Sequence, residues 1–451
     1  MKSNFLKFLR IRDLAIIFLI FSFCIGSCKP KVKEINYTHV EIAKVIDEVT
    51  QVMVHDVTNP PLASRFFAYI SLAGLEALSP IYKEGDLVLA SIKEYKRPVN
   101  KNAVENIDFK LAAILSMLYT AKSIQPSGEK LTIYLNDVKK KALIEGVSRK
   151  ILSSTEAYSI TVADHILDYS KTDGYSKISS LPRYEPSNVI GEWYPTPPGY
   201  FPAVEPHFNT LRPFFLDSAN QFLTEPPVYY EENVESLFFK LAADVYEQSL
   251  TDEKMKIAAF WDCNPFALDD NGHLLIGLKK ISPGAHWMGI ANIACKQANT
   301  NFEKSLEINT VLALTLFDSF ISCWDEKYRS NRIRPESAIR KLIDPSYRPF
   351  LQTPPFPEYP SGHSVISTAS AEVLSRYFGN DFIYIDTVEV KYGLESRRFT
   401  SFKQAAEEAS ISRIYGGIHF KDGITSGQAL GEKIGLHVIN KLGISNNIFN
   451  K

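Results

Sequence analysis

Three short stretches in the last third of this 451-residue chain, at 327–335, 360–363 and 412–419, hold the side chains best equipped for chemistry. They contribute three cations (Lys327, Arg334 and Arg413), two histidines (His363 and His419) and a Ser361-Gly362 turn. Guanidinium and ammonium groups donate charge-assisted hydrogen bonds, a serine hydroxyl adds another donor, and a glycine lets main-chain amides come close to a ligand. Such a set is suited to holding a tetrahedral oxyanion, with imidazoles at hand to ligate, attack or carry protons. Three cations gathered without an anion would repel one another, so a bound multivalent anion gives their convergence a physical reason.

Local sequence suggests how each stretch presents its groups. Lys327 and Arg334 are seven residues apart, roughly two helical turns, so a continuous helix would point both the same way. Pro335 disfavours helical geometry at Arg334 and sets that guanidinium at a helix end. Pro360-Ser361-Gly362-His363 precedes a helical pattern starting at Ser364, so the free amides of a first turn face the anion and His363 is held beside it. Gly416 and Gly417, between Arg413 and His419, are expected to break a helix and aim His419 inward.

The elements that must position these groups are helices. Apolar residues recur at helical spacing over 39–53, 61–78, 104–124, 130–146, 154–169, 232–250, 252–261, 287–297, 305–328, 364–378, 401–412 and 425–442, and strand alternation is scarce. The pattern predicts an all-α protein of two helical bundles. An N-terminal helical region spans 39–227 and ends in a Pro- and aromatic-rich crossing at 181–227; a C-terminal helical domain spans 228–451 and carries the three stretches. A crossing that long in a compact domain is expected to be functional or to pack across the core. No repeat of fixed period is found, and past the amino terminus no stretch reads as long and apolar enough to span a bilayer.

Charge excludes some partners. Fifty Lys and Arg residues stand against 51 Asp and Glu, a net charge of -1, so no global field recruits nucleic acid. At the amino terminus Lys2, Lys7, Arg10 and Arg12 precede an apolar run at 14–23 that is short for a membrane span and reads as a secretory signal over 1–27. Cys24-Ile25-Gly26-Ser27-Cys28 resembles the lipobox of bacterial lipoproteins. Cleavage before Cys28 would leave it lipidated, with a tether over 28–38 and the protein anchored in the bacterial cell envelope, at an outer membrane facing the periplasm or the exterior. The remaining Cys263, Cys295 and Cys323 are an odd set whose separations fit no clustered zinc site. They are expected as buried small residues, with one pair available for a periplasmic bridge.

In their order and separations, the three stretches resemble the signature shared by type-2 phosphatidic acid phosphatases, bacterial acid phosphatases and vanadium-dependent haloperoxidases. The resemblance implies that Lys327, Arg334, Ser361, Gly362 and Arg413 contact the equatorial oxygens of the anion. It makes His419 the axial ligand to vanadium or the nucleophile on phosphorus, and His363 the acid or base at the opposite apex. The family usually has an acidic residue four positions after the second histidine, where this chain has Gly423 and places Asp422 one position earlier. Offsets of three and four can share a helical face, so Asp422 is a candidate carboxylate partner of His419, the other reading being an exposed loop aspartate.

The integral lipid phosphatases of that superfamily put these motifs on transmembrane helices, and the small acid phosphatases resemble only the carboxy-terminal half. The haloperoxidases look like two four-helix bundles, a closer match in size. The segment 355–363 looks like its chloroperoxidase-type counterpart, with Phe356 where algal bromoperoxidases tend to carry histidine. Trp324 resembles the aromatic wall beside the halide. Phe260-Trp261-Asp262 and Gly284-Ala285-His286-Trp287 are similar to stretches of bacterial haloperoxidase-like proteins, with core packing as their plain reading. The resemblance thus implies vanadate as cofactor and hydrogen peroxide and halide as substrates, with Lys327 polarising the peroxide and His363 handling protons. The alternative is a cofactor-free periplasmic acid phosphatase acting on a phosphate ester through a phosphohistidine at His419. A non-catalytic ligand-binding lipoprotein is the third class. Halide preference and oligomeric state have no sequence signal.

Overall fold

Most helices begin at a side-chain cap that the sequence supplies. The computed structural model describes residues 35–98, 106–270 and 275–444; the signal peptide, Cys28 and most of the expected tether lie outside them. Thr38 and Glu41 form a capping box that starts α1 (His39–His55). Asn59 and two prolines start α2 (Pro60–Leu78). After α3 (Gly85–Ser91), Asp108 caps α4 (Phe109–Ile124); α5 (Thr132–Ile144), α6 (Arg149–Lys171) and the single turn α7 (Tyr175–Ile178) complete the amino-terminal half. The carboxy-terminal half holds α8 (Leu237–Tyr246), α9 (Asp252–Phe260), α10 (Pro283–Gln297), α11 (Phe302–Ser330), α12 (Pro335–Leu342), α13 (Gly362–Phe378), α14 (Phe402–Tyr415) and α15 (Lys421–Lys441). Two antiparallel hairpins, β1 (Leu268–Asp270) with β2 (Leu275–Gly277) and β3 (Tyr384–Asp386) with β4 (Arg397–Phe399), are the strands among the described residues.

The axis of the molecule is α11, buried along nearly all its length and packed on α2 from one side and α13 from the other. Contrary to expectation, α11 is long and apolar enough to cross a membrane, but its apolar window is wholly inside the protein, which makes it a core helix. Buried residues from both expected regions join one continuous hydrophobic core. Close approach of α2 depends on Gly74, where an added Cβ would lie 2.8 Å from Met117 Cγ and 3.1 Å from Leu306 Cδ1.

The crossing at 181–227 is irregular, and α11 holds it. The buried Asp318 carboxylate accepts the amides of Phe214 (2.7 Å), Phe215 (2.7 Å) and Leu216 (3.0 Å). Further along, Val204 O accepts Trp324 Nε1 at 3.0 Å and Tyr328 Oη at 2.7 Å. The crossing thereby covers the end of α11 that carries Lys327.

Helix α15 sets the last part of the frame. Gly423, Gly427, Gly431 and Gly435 recur every four residues along its face against α13. A Cβ at Gly427 would lie 2.7 Å from Ser361 O, so the bare face lets α15 pack directly on the main chain that opens α13. Several sequence expectations shift: the helix expected at 232–250 is only Leu237–Tyr246, α3 and α12 were not anticipated, and Cys263, Cys295 and Cys323 are all buried free thiols with no bridge.

Candidate oxyanion site

Lys327 and Arg334 do not share a helix face as the seven-residue spacing suggests. Helix α11 stops at Ser330 through Asn331, whose φ of 47° is left-handed, and Arg334 is extended (φ -82°, ψ 152°) as the cap of α12. The two cations converge because the chain reverses between them. Lys327 Nζ donates to the carbonyls of Pro357 (3.0 Å), Glu358 (3.0 Å) and Pro360 (2.6 Å), so it props up the loop before α13. Arg334 Nε donates to Phe356 O (2.8 Å) and Nη1 to Ile418 O (2.9 Å), while Nη2 is buried with no partner. Neither cation pairs with a carboxylate.

Ser361 caps α13 and is fully buried. Its Oγ accepts from Ser364 N (3.3 Å) and Ser364 Oγ (2.9 Å), which leaves its own proton for a ligand. Two residues on, His363 has its Nε2 buried without a partner. Arg413, in the last turn of α14, donates Nε to Ser412 Oγ (3.0 Å) and Nη2 to Trp261 O (2.8 Å). Gly416 ends α14 and Gly417 turns the chain at φ 74°, so the double glycine delivers His419 as expected.

The carboxylate partner of His419 is Glu358, and the expectation of Asp422 is corrected. His419 Nδ1 lies 2.7 Å from Glu358 Oε1, and that oxygen also accepts Phe420 N at 3.1 Å. His419 precedes α15, so no helical offset aligns it with Asp422, which lies in the first turn of that helix. Asp422 instead pairs with Arg332, accepting Nη2 on Oδ1 at 2.9 Å, and Arg332 Nε donates to Glu358 Oε2 at 2.7 Å. The result is a relay, Asp422 to Arg332 to Glu358 to His419, buried from Arg332 inward. A Cβ at Gly423 would lie 2.5 Å from Glu358 Oε1, so the Glu358 carboxylate fills the space that a side chain at 423 would need. Sequence reading missed Glu358 and Arg332 although both lie beside residues it singled out.

Both histidines face one cavity of about 30 Å³, lined also by Gly362, Arg413, Trp324, Phe356 and Phe320. The rings of Trp324 and Phe356 pack at 5.0 Å, and Lys327 Nζ stands 5.2 Å from the Phe356 ring. Lys327, Arg334 and Ser361 sit immediately behind this lining. Burial, then the surrounding arginines, push both imidazoles well below the usual histidine range: Arg413 acts on His363, and Arg334, Lys327 and Arg413 act on His419. Both are therefore neutral at physiological pH, and the Glu358 contact puts a proton on Nδ1 of His419 and leaves Nε2 as a lone-pair donor. Burial, aided by Arg334 and Arg332, also pushes Lys327 down to about 7. The same burial, with Arg413 adding, holds Arg334 at about 10. A buried guanidinium nitrogen without a partner, and two buried cations held low with no ion pair to a carboxylate, suit a site that takes an oxyanion.

A family model described as the VCPO second helical-bundle domain matches residues 307–445, which contain the cations, both histidines, Ser361 and Glu358 of this site. No curated protein matches the chain. Among solved structures, one described as the first bacterial vanadium-dependent iodoperoxidase shares 41% identity, with a TM-score of 0.85, covering 92% of this chain and 100% of its own. A holo-type bacterial vanadium-dependent chloroperoxidase shares 17% identity with a TM-score of 0.65, over 92% of this chain and 99% of its own, a likeness of fold.

Two outcomes follow from this geometry. Sulfate keeps its charge across neutral pH, so its binding reports the protein's protons: a free-site Lys327 titrating near 7 must gain a proton to hold the anion. Sulfate affinity measured by calorimetry should fall as pH rises from 7 to 9, approaching about tenfold per unit, and Lys327→Gln should abolish that slope. A flat wild-type profile would contradict it. In the relay, the Glu358 side chain is fully buried and Asp422 is 22% exposed. Glu358→Ala, which orphans Arg332 and His419, should cost about 3–5 kcal/mol in urea unfolding, and Asp422→Ala clearly less; equal losses would mean that Glu358 is not the central member.

Proposed function

The chain belongs to the vanadium-dependent haloperoxidase family, and from that premise we propose that its site holds vanadate and oxidises halide, iodide above all, with hydrogen peroxide. The residues present fit the group. Arg334 Nη2 and His363 Nε2 are buried polar atoms without a partner, and Lys327 and Arg334 beside them form no ion pair with a carboxylate. Lys327, Arg334, Ser361, the Gly362 main chain and Arg413 would hold the oxygens of the anion, and His419 Nε2 would ligate the metal. Vanadate, when bound, supplies a Lewis acid that activates peroxide without changing its own oxidation state.

The protein's own groups do the rest. Glu358 keeps the Nδ1 proton of His419 in place, which orients the ring and raises the basicity of Nε2. His363, neutral because it is buried among cations, can take a proton at Nε2 from an incoming peroxide and return it to a leaving oxygen. Lys327 gains its full charge as the anion arrives and polarises the oxygen nearest to it. Trp324 and Phe356 give the cavity an apolar wall that keeps water out and accommodates a weakly hydrated anion. The preference for iodide rests on the 41% identical relative, described as an iodoperoxidase.

What carries this reading over a phosphatase is the 41% identity, over 92% of this chain, to a structure described as a vanadium-dependent iodoperoxidase. The cavity before the two histidines has Trp324, Phe356 and Phe320 in its wall, which suits small reactants such as peroxide and halide. The phosphatase reading uses the same atoms, with His419 attacking phosphorus and His363 protonating the leaving oxygen. We further propose that Cys28 is acylated and ties the enzyme to the cell envelope.

Purified protein reconstituted with orthovanadate should iodinate a phenol dye in a peroxide-dependent way, with at least about a thousandfold loss in His419→Ala, and should hydrolyse an aryl phosphate poorly without vanadate. Brisk hydrolysis with no halogenation at any pH or halide would reverse the assignment, and halogenation retained by His419→Ala would remove the site. For the anchor, Cys28→Ser expressed in a bacterial host should move from the membrane to the soluble fraction and lose incorporation of labelled fatty acid; unchanged membrane association would refute lipidation.

A further inference from the structure

Cys263 lines the oxyanion cavity, and its sulfur also faces a second buried cluster that the proposed chemistry does not use. The cluster joins three separate elements: Cys263 from the loop after α9, His286 from α10, and Glu389 from the segment after β3. Their residues are 2%, 0% and 7% exposed, so water does not account for the geometry. His286 Nε2 lies 2.8 Å from Asp386 Oδ2, which fixes one ring nitrogen as a donor. Its ring stacks on Trp261 at 4.7 Å and 20°, which fixes the plane and directs Nδ1 between the other two groups.

On the Nδ1 side the nitrogen–oxygen edge is longer than a direct hydrogen bond, while the two sulfur edges have lengths that a sulfur hydrogen bond and a pair of metal ligands share. Nδ1 stands 3.3 Å from Glu389 Oε1 and 3.5 Å from Cys263 Sγ, and the sulfur stands 3.7 Å from Glu389 Oε1. A direct N–H to O bond is about 2.9 Å, as the Asp386 side of the ring nearly shows. Tetrahedral zinc, with a sulfur at about 2.3 Å and nitrogen or oxygen at about 2.0–2.1 Å, separates its ligand atoms by about 3.3–3.6 Å. All three edges of the cluster match that triangle within about 0.1 Å.

We propose that Cys263, His286 Nδ1 and Glu389 form a second metal site that takes zinc, with Asp386 orienting the imidazole from behind. Thiolate, imidazole and carboxylate are a donor set that suits zinc, and a carboxylate on the far nitrogen of a ligating histidine is the usual support. Binding would release the Cys263 proton and any proton on His286 Nδ1 to solvent. The ion would tie the loop after α9 to α10 and β3. That loop holds Arg413 through Trp261 O, so the metal acts on the oxyanion site as a positioning element and not as a reactant.

The test reads metal and not halogenation, so it stands or falls apart from the proposed function. Full-length protein expressed with zinc and purified without chelator should contain about one zinc per chain by plasma mass spectrometry. The zinc absorption edge should show one sulfur and a nitrogen–oxygen shell. Cys263→Ser and His286→Asn should each lower zinc affinity at least about a hundredfold. Should either variant fold poorly, wild-type protein stripped by dipicolinate should lose thermal stability and regain it with zinc alone. Folded wild-type protein that carries no zinc and gains no stability from added zinc would overturn the proposal and leave a hydrogen-bonded cluster. Zinc content unchanged in both variants would overturn it as well.

Discussion

The contact between Glu358 and His419 is the constraint on which the rest of the site depends. A histidine surrounded by Lys327, Arg334 and Arg413 does not take a second proton, and without a carboxylate it would have no fixed tautomer. Glu358 supplies the fixed tautomer and is itself held by Arg332, whose second carboxylate partner is Asp422. Arg332 holds both carboxylates of this relay, so Glu358 is committed to His419 and Arg332, and Lys327 and Arg334 in front of it make no ion pair. A buried ion pair is a poor source of stability, but it is an effective way to hold one imidazole in one orientation.

The frame serves the same end. Helix α11 ends where Lys327 can support the loop that carries Glu358 and Ser361, and the reversal through Asn331 brings Arg334 back over it. The bare glycine face of α15 lets Gly423 approach Ser361, with Ser361 N donating to Gly423 O at 2.9 Å. That same absence of a side chain at 423 makes room for the Glu358 carboxylate. The departure from the family pattern is thus compensated in space: the acid has moved 65 positions back along the chain, and the glycine keeps its place open.

Local features were legible in the sequence. The cations, the histidines, the capping turn at Ser361 and the double glycine before His419 lie in short segments whose chemistry is set by neighbours, and most helices are where periodicity puts them. Long-range pairings were not legible. Glu358 reaches His419 across 61 positions, and Cys263 reaches Glu389 across 126; neither separation leaves a local mark. Asp422 misled because the offset argument assumes a helix through His419, whereas α15 starts at Lys421. The same assumption failed for Lys327 and Arg334. The glycine repeat at 423, 427, 431 and 435 was a readable sign of close helix packing, and in hindsight it marks the face that Glu358 and Ser361 share.

The central claim is that a neutral His419, held by Glu358, offers Nε2 to the metal of a bound oxyanion. X-ray absorption at the vanadium edge of the orthovanadate-loaded protein tests it most directly. An imidazole nitrogen in the vanadium shell of the wild type, absent in His419→Ala and weakened in Glu358→Gln, is the predicted result; an oxygen-only shell in the wild type would contradict the account.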